Sequence, residues 1–298
     1  MKIGVVVPLE ADPQTQQVVR YAEMRAFALQ AEAAGFDAIW LYDHLLVRSP
    51  GRPTEGIWEA WTVFSALAEA TSRVELGTLV LCMPFRHPAV LAKMAVTLDE
   101  VSNGRVILGL GAGWHQPEYD AFGYPFDHKA SRFEEALKII LPLLREGKVD
   151  FTGEYYAARE CEMHPRGPSH SGPPIWIGAH QPRMLRLIAQ YADAFNTVWH
   201  RTPEKVEAAW QPMLAACQEV GRDPATLALT AGTFARILAP GETRPEGETG
   251  ICGEADEVAE AISGFAQVGV KHLVVIVSPG DVTGVERFGK VIERLNKA

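Results

Sequence analysis

Two short segments carry residues able to do chemistry. In WLYDHLL, residues 40–46, Asp43 and His44 stand directly behind an apolar run. A histidine exchanges protons near neutral pH, and a neighbouring carboxylate can set its tautomer or raise its pKa. Adjacent strand residues point to opposite faces, so direct pairing of these two would require the strand to have ended. In VILGLGAGWHQPEYDAFGYPF, residues 106–126, Gly109, Gly111 and Gly113 alternate behind a second apolar run and lead into Trp114 and His115. These glycines would either let a flat ligand approach the backbone, with Trp114 as an aromatic wall, or relieve crowding between strands. His115 reads as a site residue or a loop cap, and Glu118 as a solvated or loop-bracing carboxylate. Tyr119 and Phe122 are expected to pack the loop down.

A third segment, IWIGAHQPRMLRLIA at 175–189, offers the backbone amides of Gly178, Ala179 and His180 ahead of a helix that Pro182 opens. Unpaired amides at a positive helix end suit a phosphate, although a plain helix start has the same appearance. Arg86 could clamp an anion or serve a structural ion pair, and His87–Pro88 could simply open a helix. Arg132, Glu134 and Glu135, at helical spacing, read as solvated or paired.

Several chemistries are excluded by pattern. A dinucleotide fingerprint wants GxGxxG opening a helix, whereas the alternating glycines here are followed by two prolines, Pro117 and Pro125. The stretch therefore reads as a loop leaving a strand, not as a phosphate-bearing helix. HExxH, GxSxG and GxxxxGK[ST] are absent. Cys82, Cys161, Cys217 and Cys252 are isolated and the histidines lack ligand spacing, so neither a metal nor a disulfide framework is expected.

The elements that must position these residues alternate regularly. Strands are predicted at 2–8, 37–43, 74–81, 105–111, 173–178, 193–198, 227–235 and 271–277. Helices are predicted at 15–34, about 58–70, 87–102, 131–147, 181–191, 203–220, 255–268 and 281–296, with stops at Gly35 and Asn103–Gly104. Near-continuous apolar strands separated by helices imply a parallel sheet covered on its outside, and a closed (β/α)8 TIM barrel is the economical solution. A doubly wound sheet is the alternative. Residues 1–298 read as one domain. Segments 146–174, after the fourth helix and holding a hairpin around Thr152–Gly153, and 236–252, after the seventh strand, are insertions too poor in apolar residues for cores of their own.

With 47% hydrophobic and 22% charged residues, 26 glycines and 20 prolines, the 298-residue chain has globular composition. Its net charge of −9 and lack of a basic stripe argue against nucleic acid. Apolar runs are too short to span a membrane, and no secretory leader pattern precedes the first strand, so a cytoplasmic protein is expected.

The segments around WLYDHLL, VELGTLVLCMPFRHPAVLAKMAVTLDEVSNGRVILGLGAGWHQPEYDAFGYPF and PPIWIGAHQPRMLRLIAQYADAFN together resemble the luciferase-like flavin and deazaflavin oxidoreductase superfamily. The resemblance covers most of residues 1–200 and is nearest to the F420-dependent group. It implies a cofactor ring across the C-terminal mouth of the barrel, backed by a cis peptide matching Leu79–Val80. It places Asp43 near the ring, gives His44 a proton role, and puts the cofactor phosphate at Gly178, Ala179 and His180, where Ala179 replaces a more usual glycine. It also places Gly111, Trp114 and His115 beside the cofactor. Trp114 falls near the position of an acidic proton donor in sugar-phosphate dehydrogenases, which argues against a sugar-phosphate substrate. Coenzyme F420 and a small, fairly apolar organic substrate are expected. The alternatives are a reduced-FMN-dependent monooxygenase served by a separate reductase, and a non-catalytic cofactor-binding subunit. The resemblance further implies a homodimer.

Overall fold

The computed structural model describes residues 1–11 and 17–297. Strand β1 (Lys2–Val6) is followed by α1 (Tyr21–Ala33), and β2 (Ala38–Leu41) by α2 (Ala60–Ala70). The third barrel strand comes in two pieces, β3 (Glu75–Thr78) and β4 (Leu81–Cys82), ahead of α3 (Pro88–Val101). β5 (Val106–Gly111) leads through the short α4 (Gln116–Phe122) to α5 (Lys129–Arg145). A hairpin of β6 (Lys148–Thr152) and β7 (Ala157–Glu162) precedes β8 (Ile175–Gly178) and α6 (Pro182–Tyr191). Then come β9 (Ala194–Thr197), α7 (Pro203–Val220), β10 (Ala228–Ile237), β11 (Ile251–Gly253), α8 (Ala255–Gln267), β12 (His272–Ser278) and α9 (Val282–Leu295).

The strands pair in parallel in the order β1, β2, β3, β5, β8, β9, β10, β12, and β12 returns to β1. The expected eight-stranded barrel is therefore closed, and β4 continues the third strand against β5. Alternation along each strand separates two layers. Ile3, Val5, Ile39, Leu41, Leu108, Leu229, Ala231, Leu273 and Val275 pack outward against the helices. Val6, Trp40, Leu79, Ile107, Trp176, Ala194 and Val274 fill the lumen. At the lumen floor Trp40 lies 4.5 Å from Trp176, ring centre to ring centre, and both meet the edge of buried His272. Gly77 makes room for this plug, because a Cβ there would come within 2.2 Å of the Trp40 ring.

The structure corrects four local expectations. The run 74–81 is not one strand, because Leu79–Val80 is cis and separates β3 from β4. Helix α1 starts at Tyr21, not at 15; residues 15 and 16 lie outside the described residues, and Val18 instead bridges to Ala11. The stretch expected to be loop throughout contains α4, whose Pro117 sits in the first turn, where its missing N–H costs nothing, and whose left-handed Gly123 ends it. Phe122 does not pack the loop down; it is 52% exposed. The hairpin expected around Thr152–Gly153 is formed by β6 and β7, and Glu135 accepts the turn amides of Glu154, Tyr155 and Tyr156. In the second insertion β11 joins the sheet beside β10.

Candidate active site

Parallel closure brings the C-terminal ends of all eight strands to one rim, so the segments after β2, β4, β5 and β8 meet there. The adjacent residues Asp43 and His44 part company at this rim. Asp43 turns inward and is buried. Arg86 grips it through two hydrogen bonds of 2.6 and 3.1 Å, and the Cys82 amide donates to it at 2.9 Å. The same guanidinium reaches Glu59 at 2.6 Å, and Glu59 caps α2 by accepting from the amides of Trp61 and Thr62. Burial pushes the Asp43 carboxyl up from its ordinary range, while Arg86 and the Cys82 amide pull it down. Arg86 itself loses from burial but is held above its usual value by both carboxylates. Of the two expected roles for Arg86, the structure shows the ion pair. Asp43 thus lies buried behind the rim with its carboxylate held by Arg86 and the Cys82 amide.

His44 points the other way. Its Nδ1 lies 3.0 Å from Glu118 Oε2, and because a carboxylate only accepts, Nδ1 is the donor and Nε2 is the nitrogen left for the mouth. Glu118, 2% exposed, also accepts the amides of Leu45 and Leu46. Burial alone would lower the His44 pKa, but the hydrogen bond and charge of Glu118, with Glu10 and Asp43 behind it, raise it above the ordinary imidazole value. Burial likewise works to raise Glu118, and His44 with the two amides brings it below the usual carboxylate range. Glu118 is a loop brace, as one expectation had it, and is not solvated. Its tie to His44 was missed, as was Glu10 beyond β1, which burial pushes up and which interacts with the Tyr42 hydroxyl.

The glycine segment is explained mostly by crowding. A Cβ at Gly109 would sit 1.8 Å from the Thr78 carbonyl oxygen, and one at Gly111 would sit 2.6 Å from Val80 Cγ2. Gly111 therefore serves the mouth indirectly, by admitting the Val80 side chain. Gly113 is left-handed, and a Cβ there would strike the Tyr119 hydroxyl. That hydroxyl donates to the Ala112 carbonyl at 2.9 Å and touches Cys82 Sγ at 3.1 Å, so Tyr119 does pin the loop. Trp114 is 70% exposed and stands edge-on to His44, 5.7 Å between ring centres. His115 accepts the Arg48 amide through Nε2 at 3.1 Å, and so ties the loop after β5 to the loop after β2.

Val80 is half-buried, with one methyl toward Gly111 and the other 3.4 Å from the position of a Gly178 Cβ. Its methyls thus lie between the glycines at the ends of β5 and β8. Across β8, Gly178 and Ala179 are half-buried and His180 exposed, directly ahead of α6, whose N-terminus has no side-chain cap. Among the other candidates, His87 caps α3 by accepting the Ala89 amide. Arg132 pairs with Asp127, and Glu134 with Lys138 and Arg183. No group of histidine, cysteine or acidic residues among the described residues could hold a metal, and no helix among them is long and apolar enough to cross a membrane.

Three comparisons bear on this site. An F420-dependent glucose-6-phosphate dehydrogenase of Amycolatopsis mediterranei is 35% identical over 175 residues, covering 57% of this chain and 51% of that protein. A pyrimidine monooxygenase of Rhizobium rhizogenes is 32% identical over 249 residues, covering 77% of this chain and 66% of that protein. The chain thus spans between about half and two thirds of these relatives. In fold it superposes on an F420-dependent secondary alcohol dehydrogenase, solved with an F420-acetone adduct, with a TM-score of 0.81 at 22% identity over 99% of this chain and 98% of that one. Residues 1–244, which hold every site residue described above, match the luciferase-like monooxygenase family, and the chain belongs to that family.

Proposed function

We propose that the protein is an F420-dependent oxidoreductase that moves a hydride between the deazaflavin and a small, fairly apolar organic substrate, with His44 handling the substrate proton. The observation that carries this reading is the His44–Glu118 pair at the barrel mouth. The mouth residues suit a flat ring: Val80 offers an apolar surface, Trp114 an exposed aromatic one, and Gly109, Gly111 and Gly178 at the ends of β5 and β8 add no side chains. The F420-dependent relative and the matching barrel support the choice of cofactor.

When bound, F420 would supply the hydride donor or acceptor at its ring carbon. Everything else falls to the chain. Glu118 holds the His44 ring by Nδ1, so Nε2 is fixed toward the mouth, and it keeps the imidazolium form available. For carbonyl reduction, Nε2–H gives its proton to the oxygen that becomes a hydroxyl. For alcohol oxidation, Nε2 takes that proton as the carbon surrenders its hydride. Asp43 and Arg86 do not move protons; they lock the β2 exit so that His44 stays in register with Val80. Leu79 and Val80 would underlie the ring, and the amides of Gly178, Ala179 and His180 would hold the cofactor phosphate.

The pyrimidine monooxygenase relative favours a second reading, a reduced-FMN-dependent monooxygenase served by a separate reductase. Parallel fluorescence titrations with F420 and FMN, oxidised and reduced, under anaerobic conditions separate the two. Selective F420 binding supports hydride transfer, and selective binding of reduced FMN overturns it.

We further read residues 1–298 as one domain in a cytoplasmic homodimer. The four free thiols support a reducing compartment. The apolar outer face of α3, with exposed Val90 and Val101 bordering a groove of about 670 Å³ that includes Met94 and Met163, supports a second copy packing there.

A further inference from the structure

Across the mouth from the Val80 floor lies an aromatic pair that none of the roles above uses. In barrel order β10 is four strands from β3 in either direction, so it stands diametrically opposite. Along β10, Phe234 pairs in register with Ile276 of β12, which packs on the lumen cluster, while its neighbours Thr233 and Ala235 are buried on the outer side. Phe234 therefore faces the lumen, yet it is 38% exposed. Trp199, just past β9 and 37% exposed, packs on it with ring centres 4.9 Å apart and planes 35° from parallel.

The seat of Trp199 is unusual. Its φ is +64°, a left-handed conformation that a bulky side chain adopts only when its surroundings impose it. The surroundings do so here: the His200 amide donates to the Gly232 carbonyl at 2.9 Å, and the His200 ring is held by the Thr197 hydroxyl at 2.6 Å. Gly232 is the matching gap, because a Cβ there would press on Val198 at 3.0 Å and approach the indole at 3.4 Å. A backbone cost of this kind turns a large indole onto the lumen side of the rim and leaves its surface to water.

We propose that Trp199 and Phe234 form the substrate platform of the site, selecting a planar aryl-bearing carbonyl compound or the corresponding alcohol. A flat ring gains stacking and edge contact from the pair beyond simple apolar burial. The walls beside it, Val198 and Ile276, are apolar, and the next lumen-side residue of β10, Arg236, is already paired with Glu242. From this side the reactive oxygen of a substrate would point toward His44 and Val80 across the mouth. The reaction assigned to the substrate rests on the hydride-transfer reading; the binding does not.

The test uses two ketones of similar size, acetophenone and cyclohexyl methyl ketone, titrated into the protein with and without F420 and followed by saturation-transfer NMR, which reads direct contact. The native protein is expected to favour acetophenone by about two- to tenfold. Trp199→Gly, which tolerates the left-handed backbone, and Phe234→Leu, which keeps apolar bulk without the ring, should bring that ratio close to one while F420 affinity stays within about twofold. An equal affinity for both ketones in the native protein, or a preference that survives both substitutions, would overturn the platform. So would a loss of F420 affinity as large as the loss of acetophenone affinity, which would place the pair in the cofactor cleft. If F420 does not bind but the ketone preference still depends on Trp199, the platform stands and the cofactor assignment falls.

Discussion

His44 and Glu118 are 74 residues apart in sequence and meet at 3.0 Å, joining the loop after β2 to the helix after β5 across the third strand. This contact raises the histidine pKa and lowers that of the glutamate. A group whose folded pKa is raised contributes stability that is complete below its unfolded value and is lost as pH rises through the folded one. The pair therefore contributes fully between about pH 4.5 and about pH 6.5, fading above that window as His44 loses its proton and below it as Glu118 gains one. Replacing Glu118→Gln should cost about 1–2 kcal/mol at pH 6 in denaturant melts. It should also move the alkaline limb of carbonyl reduction to lower pH. An unmoved limb would show that Glu118 only braces the loop.

His44→Ala removes the proton-handling group but leaves the Val80 floor and the Gly178–His180 amides in place. Turnover should fall by about 10²- to 10⁴-fold while F420 affinity changes little. Single-turnover kinetics with a parallel binding titration check this. Lost affinity with unchanged turnover of the bound state would refute the proton role.

Arg86→Met leaves the Asp43 carboxylate buried without its partner. The expected cost is about 3–5 kcal/mol, measured by chemical denaturation. Adding Asp43→Asn should recover part of it, because the stranded charge is then gone. No recovery would mean that Arg86 acts mainly through Glu59 and the cap of α2.

His272 titrates with the opposite sign. Burial between Trp40 and Trp176, with the Lys2 charge adding to it, pushes its pKa down to about 3. Its Nε2 has no partner within the described residues, so the folded barrel keeps it neutral. Stability should be complete above the unfolded value and fall as pH drops from about 6.5 toward 3, by up to about 1.4 kcal/mol per pH unit. His272→Leu should flatten that slope in melts at pH 7 and pH 5, and an unchanged slope would assign the acid sensitivity elsewhere.

The barrel was legible in the sequence because its strands are buried on both faces and so read as apolar runs, such as Val106–Leu110 and Leu273–Val277. The helix ends were equally plain where Asn103 and Gly104 take positive φ. What escaped was set by closure or by distance along the chain. Nothing near Glu118 announces a partner 74 residues away, and the preceding proline hid a helix it could in fact open. The resemblance places Asp43 near a ring, and Arg86 reads as either an anion clamp or an ion-pair partner; only the fold shows the two turned toward each other. Trp199 and Phe234 carry no signal in the sequence, since their exposure depends on which strand face becomes the lumen. Leu79–Val80 was anticipated through family resemblance alone, because GTLVLC on its own is an ordinary buried strand.

The rim of the barrel is divided into two halves with different tolerances. On the side of the second to fourth strands, Asp43, Arg86, Glu59, His44, Glu118, Arg48 and His115 are cross-tied, so a change at one is felt by several others. On the side of the sixth and seventh strands, the side chains of Val198, Trp199 and Phe234 make no such ties among the described residues. Drift in that half can retune what is accepted while the proton-handling half keeps its geometry, which makes the barrel a ready starting point for laboratory evolution toward new substrates.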